Sequence, residues 1–171
     1  MRSRVIKWLI PLVVIGAVGA GVAMAATGSM RSNGGTVNAV KSSKYGTILV
    51  SSNGRTLYRY SLDKKGVSVC TGACAKFWPP LLVKTGAKPT VGAGATASLL
   101  GTIKAAAGKR QVTYAGFPLY LFAQDKKASQ TNGQGFQGKW YVVNTKGALV
   151  KKAVTTGMPP PTTTQPKPAW G

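Results

Sequence analysis

A tandem repeat constrains this chain more than any other feature. Asn53-Gly-Arg-Thr-Leu-Tyr-Arg-Tyr-Ser-Leu-Asp63-Lys-Lys65 returns 62 positions later as Ala115-Gly-Phe-Pro-Leu-Tyr-Leu-Phe-Ala-Gln-Asp125-Lys-Lys127. The same offset sets Trp140 on Trp78, Val112 on Val50 and Gly108 on Gly46. The 171 residues include two acidic side chains, Asp63 and Asp125, one at the same place in each copy. A composition that excludes carboxylates elsewhere has kept these two, so the repeat requires them. The length permits one small domain, or two half-size units sharing a core, once the ends are set aside.

The ends point to export. Arg2, Arg4 and Lys7 precede an apolar run from Trp8 to Met24, and Ala23-Met24-Ala25 supplies a small-x-small cleavage pattern. Residues 1–25 therefore read as a signal peptide or, if uncleaved, as an N-terminal membrane anchor, since about 20 apolar residues span a bilayer. No cysteine follows the run, so a lipid-modified N-terminus is not available. Either reading places the rest outside the cytoplasm, secreted or bound to the cell envelope. Residues 26–43, rich in Gly, Ser, Asn and Thr, read as a flexible leader. Residues 153–171 carry Pro159-Pro-Pro161 and Thr162-Thr-Thr164 and read as a disordered tail.

Compartment and charge follow. Cys70 and Cys74 are the only cysteines, and in an oxidising compartment so close a pair reads as a disulfide. Closing so short a loop stabilises by roughly 2 kcal/mol in the chain-entropy account. Of 23 Lys and Arg, three leave with a cleaved signal, and the remaining 20 face two Asp. Such a surface attracts polyanions over about a Debye length, without specificity. For an exported protein these are anionic lipids, wall polymers and extracellular DNA. Nucleic acid is the least favoured, because no recognition motif is present and the aromatics lie in strand patterns.

Between the ends the signals are short strands. Thr47 to Ser51 and Thr56 to Ser61 flank Asn53-Gly54, a strong hairpin signal. Gln111 to Tyr114 and Pro118 to Phe122 flank Ala115-Gly116, and Lys139 to Asn144 and Ala148 to Lys151 flank Lys146-Gly147. Ala97 to Ala107, after Thr96 or Ser98, reads as a short helix. The expectation is a mainly β protein in which two divergent repeats of short antiparallel strands form one small sheet or barrel-like domain. Repeat one spans 44–84, a connection with the helix spans 85–107, and repeat two spans 108–152.

Several motifs together carry a family resemblance. They are Tyr58-x-Tyr60-x-x-Asp63, Tyr120-x-Phe122-x-x-Asp125, Cys70-Thr-Gly-Ala-Cys74-Ala-Lys-Phe-Trp-Pro-Pro-Leu81, Gly133-Gln-Gly135 and Trp140-Tyr-Val-Val143. The chain resembles the bacterial "secreted repeat of unknown function" family, predicted lipoproteins with a Tyr-x-(Phe/Trp/Tyr)-x-x-Asp motif. The resemblance covers roughly residues 44 to 150. It implies export and tandem repeats, and no established activity. The chain departs from that family in lacking a lipid-attachment cysteine and in carrying Phe117 where a His is common.

The chemistry open to these residues is narrow. Positions two apart on a strand share a face, so Tyr58 and Tyr60 point together, as do Tyr120 and Phe122. The rings then fill a core, with Asp63 and Asp125 accepting backbone N–H groups at the strand exits. Alternatively they floor a ligand groove ended by a carboxylate. Catalysis by the two carboxylates is disfavoured, because Lys64-Lys65 and Lys126-Lys127 favour the ionised form. The chain has no histidine, which excludes Ser-His-Asp and Cys-His nucleophilic sites and His-based metal centres. Trp78 and Trp140 read as core residues, with exposed stacking platforms as the rival. No cofactor and no metal is expected. The chain reads as a non-catalytic exported binding or structural module. The alternative is a thiol-disulfide redox protein using Cys70 and Cys74.

Overall fold

The computed structural model describes residues 35–153. The signal or anchor, the first part of the leader and the tail after Ala153 lie outside the described residues. In chain order the elements are β1 (Thr36–Ser42), β2 (Gly46–Ser51), β3 (Tyr58–Tyr60), α1 (Ala73–Phe77), β4 (Leu82–Val83) and β5 (Thr90–Val91). There follow β6 (Leu100–Lys104), β7 (Arg110–Tyr114), β8 (Phe117–Pro118) and β9 (Trp140–Val142).

Each repeat opens with the same hairpin. Strand β1 pairs antiparallel with β2 from Val37↔Ser51 to Ser42↔Gly46, and β6 pairs with β7 from Leu100↔Tyr114 to Lys104↔Arg110. Ala39 faces Leu49 in the first and Thr102 faces Val112 in the second, so the hairpins correspond at an offset of 63. The next turn absorbs the extra residue. In repeat one it runs through Ser52, Asn53 and Gly54, closed by Ser51 N–H to Arg55 O at 2.8 Å. In repeat two it is the two residues Ala115-Gly116, with φ of 51° and 83°, between paired Tyr114 and Phe117. Positive φ at both central residues is the form that fits the twist of flanking strands. Leu57 N–H then reaches Leu49 O and Leu119 N–H reaches Val112 O, each at 3.0 Å, and the offset is 62 again.

The central strands are exchanged between repeats. Strand β3 of repeat one pairs with β9 of repeat two, Tyr58↔Val142 to Tyr60↔Trp140. Reciprocally, Leu121 N–H donates to Pro79 O and Ala123 N–H to Phe77 O, both at 2.8 Å. Where the exchanged segments meet, Tyr58 and Tyr120 trade both backbone bonds, at 2.9 and 3.0 Å. A pseudo-twofold axis passes between them. The sheets run β2-β1-β5, β3-β9 and β4-β7-β6 with β8 on β7, and isolated bridges knit them without closing a barrel.

Strands buried on both sides separate two kinds of core. Leu57, Leu119 and Leu121 pack with Val37, Leu49, Leu81, Val83, Val112 and Val143 on one side. Tyr58, Tyr120 and Phe122 pack with Ile48, Trp78, Phe136, Trp140 and Val142 on the other. The period-two alternation of Leu-Tyr and Leu-Tyr-Leu-Phe produces this division directly.

The mainly β, two-repeat architecture agrees with the sequence, and three local expectations do not. Residues 97–107 are not a helix: Ala97–Leu99 makes one 3-10 turn and β6 follows. Thr102 and Ile103 are β-branched and gain a full ladder on β7, which outweighs the helical preference of the neighbouring alanines. The short α-helix lies in repeat one, at α1. The leader's last part is β1, which starts repeat one before residue 44, just as β6 starts repeat two before residue 108. The connection itself holds β5, paired parallel with β1 at Thr36↔Thr90 and Val37↔Val91.

Candidate functional site

The two Tyr-x-aromatic-x-x-Asp units meet at the pseudo-twofold axis, and each completes the other. Tyr58 Oη donates to Asp125 Oδ2 at 2.7 Å, and Tyr120 Oη donates to Asp63 Oδ2 at 2.7 Å. No Tyr bonds the Asp of its own motif through these hydroxyls. The second carboxylate oxygens fix the loops that leave the strands. Val69 N–H donates to Asp63 Oδ1 at 2.8 Å, and Asn132 N–H donates to Asp125 Oδ1 at 3.0 Å. Backbone bonds from Asp63 N–H to Tyr60 O at 3.2 Å and from Asp125 N–H to Phe122 O at 3.1 Å hold each Asp at its strand exit. Ser68 Oγ lies 2.7 Å from Tyr120 Oη, and Gly133 N–H donates to Tyr58 Oη at 3.3 Å.

An aromatic stack fills the space beside these pairs. Trp78 and Trp140 lie face to face, with centroids 3.8 Å apart and planes 1° from parallel. Phe122 stacks on the outer face of Trp78 at 4.3 Å, and Tyr60 on that of Trp140 at 4.4 Å. Tyr58 meets Trp78 edge-on at 5.4 Å and Tyr120 meets Trp140 edge-on at 5.1 Å. Each contact has its counterpart under exchange of the repeats, so all eight motif residues obey one symmetry. Gly133 is required here, because a Cβ would lie 2.7 Å from Trp78 Cη2 and 3.0 Å from Tyr58 Cε1.

Burial governs the electrostatics. Asp63 is 6% exposed and Asp125 1%, and desolvation raises both carboxyls above the ordinary value. The Tyr and backbone donors, together with Arg59 beside Asp63 and Arg55 beside Asp125, pull the other way and only partly offset it. Tyr58 and Tyr120 are fully buried, and desolvation followed by the facing carboxylate pushes both phenols well up.

Repeat one adds two arginines that repeat two lacks. Arg55 Nη2 donates to Phe122 O at 2.6 Å. Arg59 donates through Nη1 to Gly147 O and lies over the Phe117 ring, 3.4 Å from its centroid. Its Nε has no acceptor, and burial lowers its pKa to about 10. Phe117, at the place where the family resemblance leads one to expect His, is thus the seat of a buried guanidinium. The Trp78 indole N–H is likewise buried without an acceptor.

Cys70 and Cys74 form a disulfide, with Cα atoms 5.3 Å apart. It follows Val69 directly and leads into α1. The equivalent turn of repeat two places Phe136 where Cys74 stands: Cys74 N–H bonds Thr71 O at 3.1 Å, and Phe136 N–H bonds Gly133 O at 3.2 Å. No group of three potential metal ligands occurs among the described residues, and no helix among them is long and apolar enough to cross a membrane.

The structure thus brings together all of Tyr58, Tyr60, Asp63, Trp78, Tyr120, Phe122, Asp125 and Trp140, seven of them buried and Tyr60 half-buried at the edge of the cluster. Sequence reasoning missed the crossing of the pairs.

The arrangement defines a class, a two-repeat exported β protein whose halves share one core. Residues 39–82 and 101–144 each match the model of the family described as "Secreted repeat of unknown function", and the chain belongs to that family. Both matched segments begin at the opening hairpin strand. Comparison with curated proteins and with solved structures finds no match.

Proposed function

We propose that this protein is a non-catalytic module of the cell envelope or its surroundings, a rigid scaffold that presents a cationic surface to anionic envelope material. One observation carries the reading. Both side-chain carboxylates are buried and engaged by the opposite repeat, while every described lysine is exposed. The surface therefore offers cations with no side-chain anion to neutralise them. Buried, fully bonded Tyr–Asp pairs suit a structural role, because a catalytic acid or base must reach its substrate. Wall polymers or anionic lipids are the ligands that fit, with nucleic acid a lesser candidate.

The experiment is retention of the purified protein on isolated envelopes across a salt titration, beside a D63N/D125N variant that still folds. Both should bind at low salt and release together as salt approaches about 0.1 M or more, where screening shortens to about 10 Å. Absence of retention at low salt ends the reading. Loss of retention in the folded variant alone moves the Asp pairs from scaffold to site.

A further inference from the structure

The large apolar side chains exposed among the described residues are Leu62, Val67 and Val69, at 54%, 49% and 51%. All three fall in one loop, between β3 and the disulfide. Scattered exposed apolar residues are ordinary, but three in eight consecutive positions gather them into one loop. The fold supplies its own control. Gly66 N–H bonds Gly116 O at 2.8 Å and Ser129 N–H bonds Gly54 O at 3.0 Å, so the loops correspond, with one more residue in repeat two between Asp125 and Ser129 than between Asp63 and Gly66. Val69 and Asn132 correspond likewise, each donating to its motif Asp. Opposite Leu62, Val67 and Val69 repeat two therefore carries Gln124, Gln130 and Asn132, all polar. Repeat two makes the same two anchoring contacts through a loop one residue longer and without apolar residues at these places, so the contacts do not demand them.

The loop is also held still and stripped of anions. Val67 N–H closes on Lys64 O at 3.1 Å, Asp63 grips Val69, and the Cys70–Cys74 bridge fixes the exit. Lys64 and Lys65 within it are exposed, as is Lys76 two residues past the bridge, and the loop's one carboxylate is turned inward onto Tyr120. We infer that the loop from Leu62 to Val69 is a docking surface for an anionic lipid bilayer, with Leu62, Val67 and Val69 entering the interface and the lysines meeting headgroups. A soluble polyanion satisfies the lysines and leaves the apolar side chains in water. A second copy of the chain presents the same positive charge and no acidic partner. A bilayer with anionic headgroups satisfies both features, as interfacial anchors generally do. The inference rests on the proposed role at an anionic envelope surface and names the contact.

The test uses the full chain and large vesicles of phosphatidylcholine with or without equal phosphatidylglycerol, some carrying brominated acyl chains. L62W and Q124W place a tryptophan at equivalent loops. With anionic vesicles the added fluorescence of L62W should be quenched by the brominated chains, and that of Q124W should not. L62Q/V67Q/V69N should lower partitioning onto anionic vesicles by about tenfold or more while its unfolding midpoint stays near wild type. Equal quenching at both positions, or none at either while the protein still sediments in low salt, overturns the docking loop and leaves the charge-based reading standing. Binding to envelopes with none to anionic vesicles also overturns it, and points to a polymer.

Discussion

The crossing of the Tyr–Asp pairs makes a prediction that no arrangement of separate repeats shares. Tyr58→Phe removes the donor 2.7 Å from Asp125 Oδ2 and leaves a carboxylate that is 1% exposed with the Asn132 N–H on its other oxygen. A hydrogen bond to a charged group is worth about 1.5–3 kcal/mol. Gly133 N–H loses its acceptor as well, so the single change should cost about 2–3 kcal/mol. Asp125→Asn first removes the charge, after which losing the phenol should cost about 1 kcal/mol. The coupling in the Tyr58/Asp125 cycle should therefore be about 1–2 kcal/mol, whereas the Tyr58/Asp63 cycle, within one motif and without a shared bond, should stay under about 0.5 kcal/mol. Urea unfolding followed by tryptophan fluorescence reads both, because Trp78 and Trp140 lie buried beside the pairs. The Tyr120/Asp63 cycle should behave like the first. A larger coupling within a motif than across the repeats would refute the exchanged arrangement.

Three further outcomes follow from the same site. Burial raises the Asp63 and Asp125 carboxyls on folding, so the charged form is the disfavoured one in the native state. Their contribution is then complete below the unfolded carboxylate value of about 3.9 and declines as pH rises through the raised native values. The urea midpoint at constant ionic strength should hold or rise between pH 7 and pH 3, and a fall across that range would contradict it. Gly133→Ala should cost about 1–3 kcal/mol, because the new methyl meets rigid Trp78 and Tyr58 rings, and an unchanged thermal midpoint would show that the stack yields. Replacing both Cys70 and Cys74 by Ser should cost about 2 kcal/mol with the fold retained, and the far-UV spectrum together with the denaturation midpoint checks it.

Much of this structure was legible because the repeat is a long-range statement written in local residues. Alternation in Leu-Tyr-Arg-Tyr and Leu-Tyr-Leu-Phe gave the strands and the faces of the rings. The role of Asp63 and Asp125 at strand exits, bonded to backbone N–H, follows from residue type and position. The exchange of strands could not be read, because a β3 pairing with β9 leaves no trace in either segment. The helix expected over 97–107 failed for the reverse reason. Alanine-rich composition spoke for a helix, while the decisive partner, β7, was distant in local composition although not in sequence. Comparing that segment with residues 36–42 would have exposed β6 as the repeat of β1, had the offset been allowed to slip from 62 to 63.

The symmetry also separates what the fold demands from what it leaves free. Everything at the pseudo-twofold axis comes in pairs: two Tyr–Asp bonds, two stacked indoles, and two outer rings on them. Such features serve both halves equally, and a change in one is felt in the other through shared strands. The differences gather in repeat one: the apolar loop, the disulfide that fixes its end, and the inserted Arg55 and Arg59. Repeat two shows that the equivalent loop, one residue longer, makes the same anchoring contacts without valines, leucine or a covalent bridge. A bridge placed at the end of an exposed apolar loop restrains that loop before it meets anything, which lowers the ordering cost of any contact it makes. The docking surface proposed above therefore lies where the halves disagree, outside the motif by which they match.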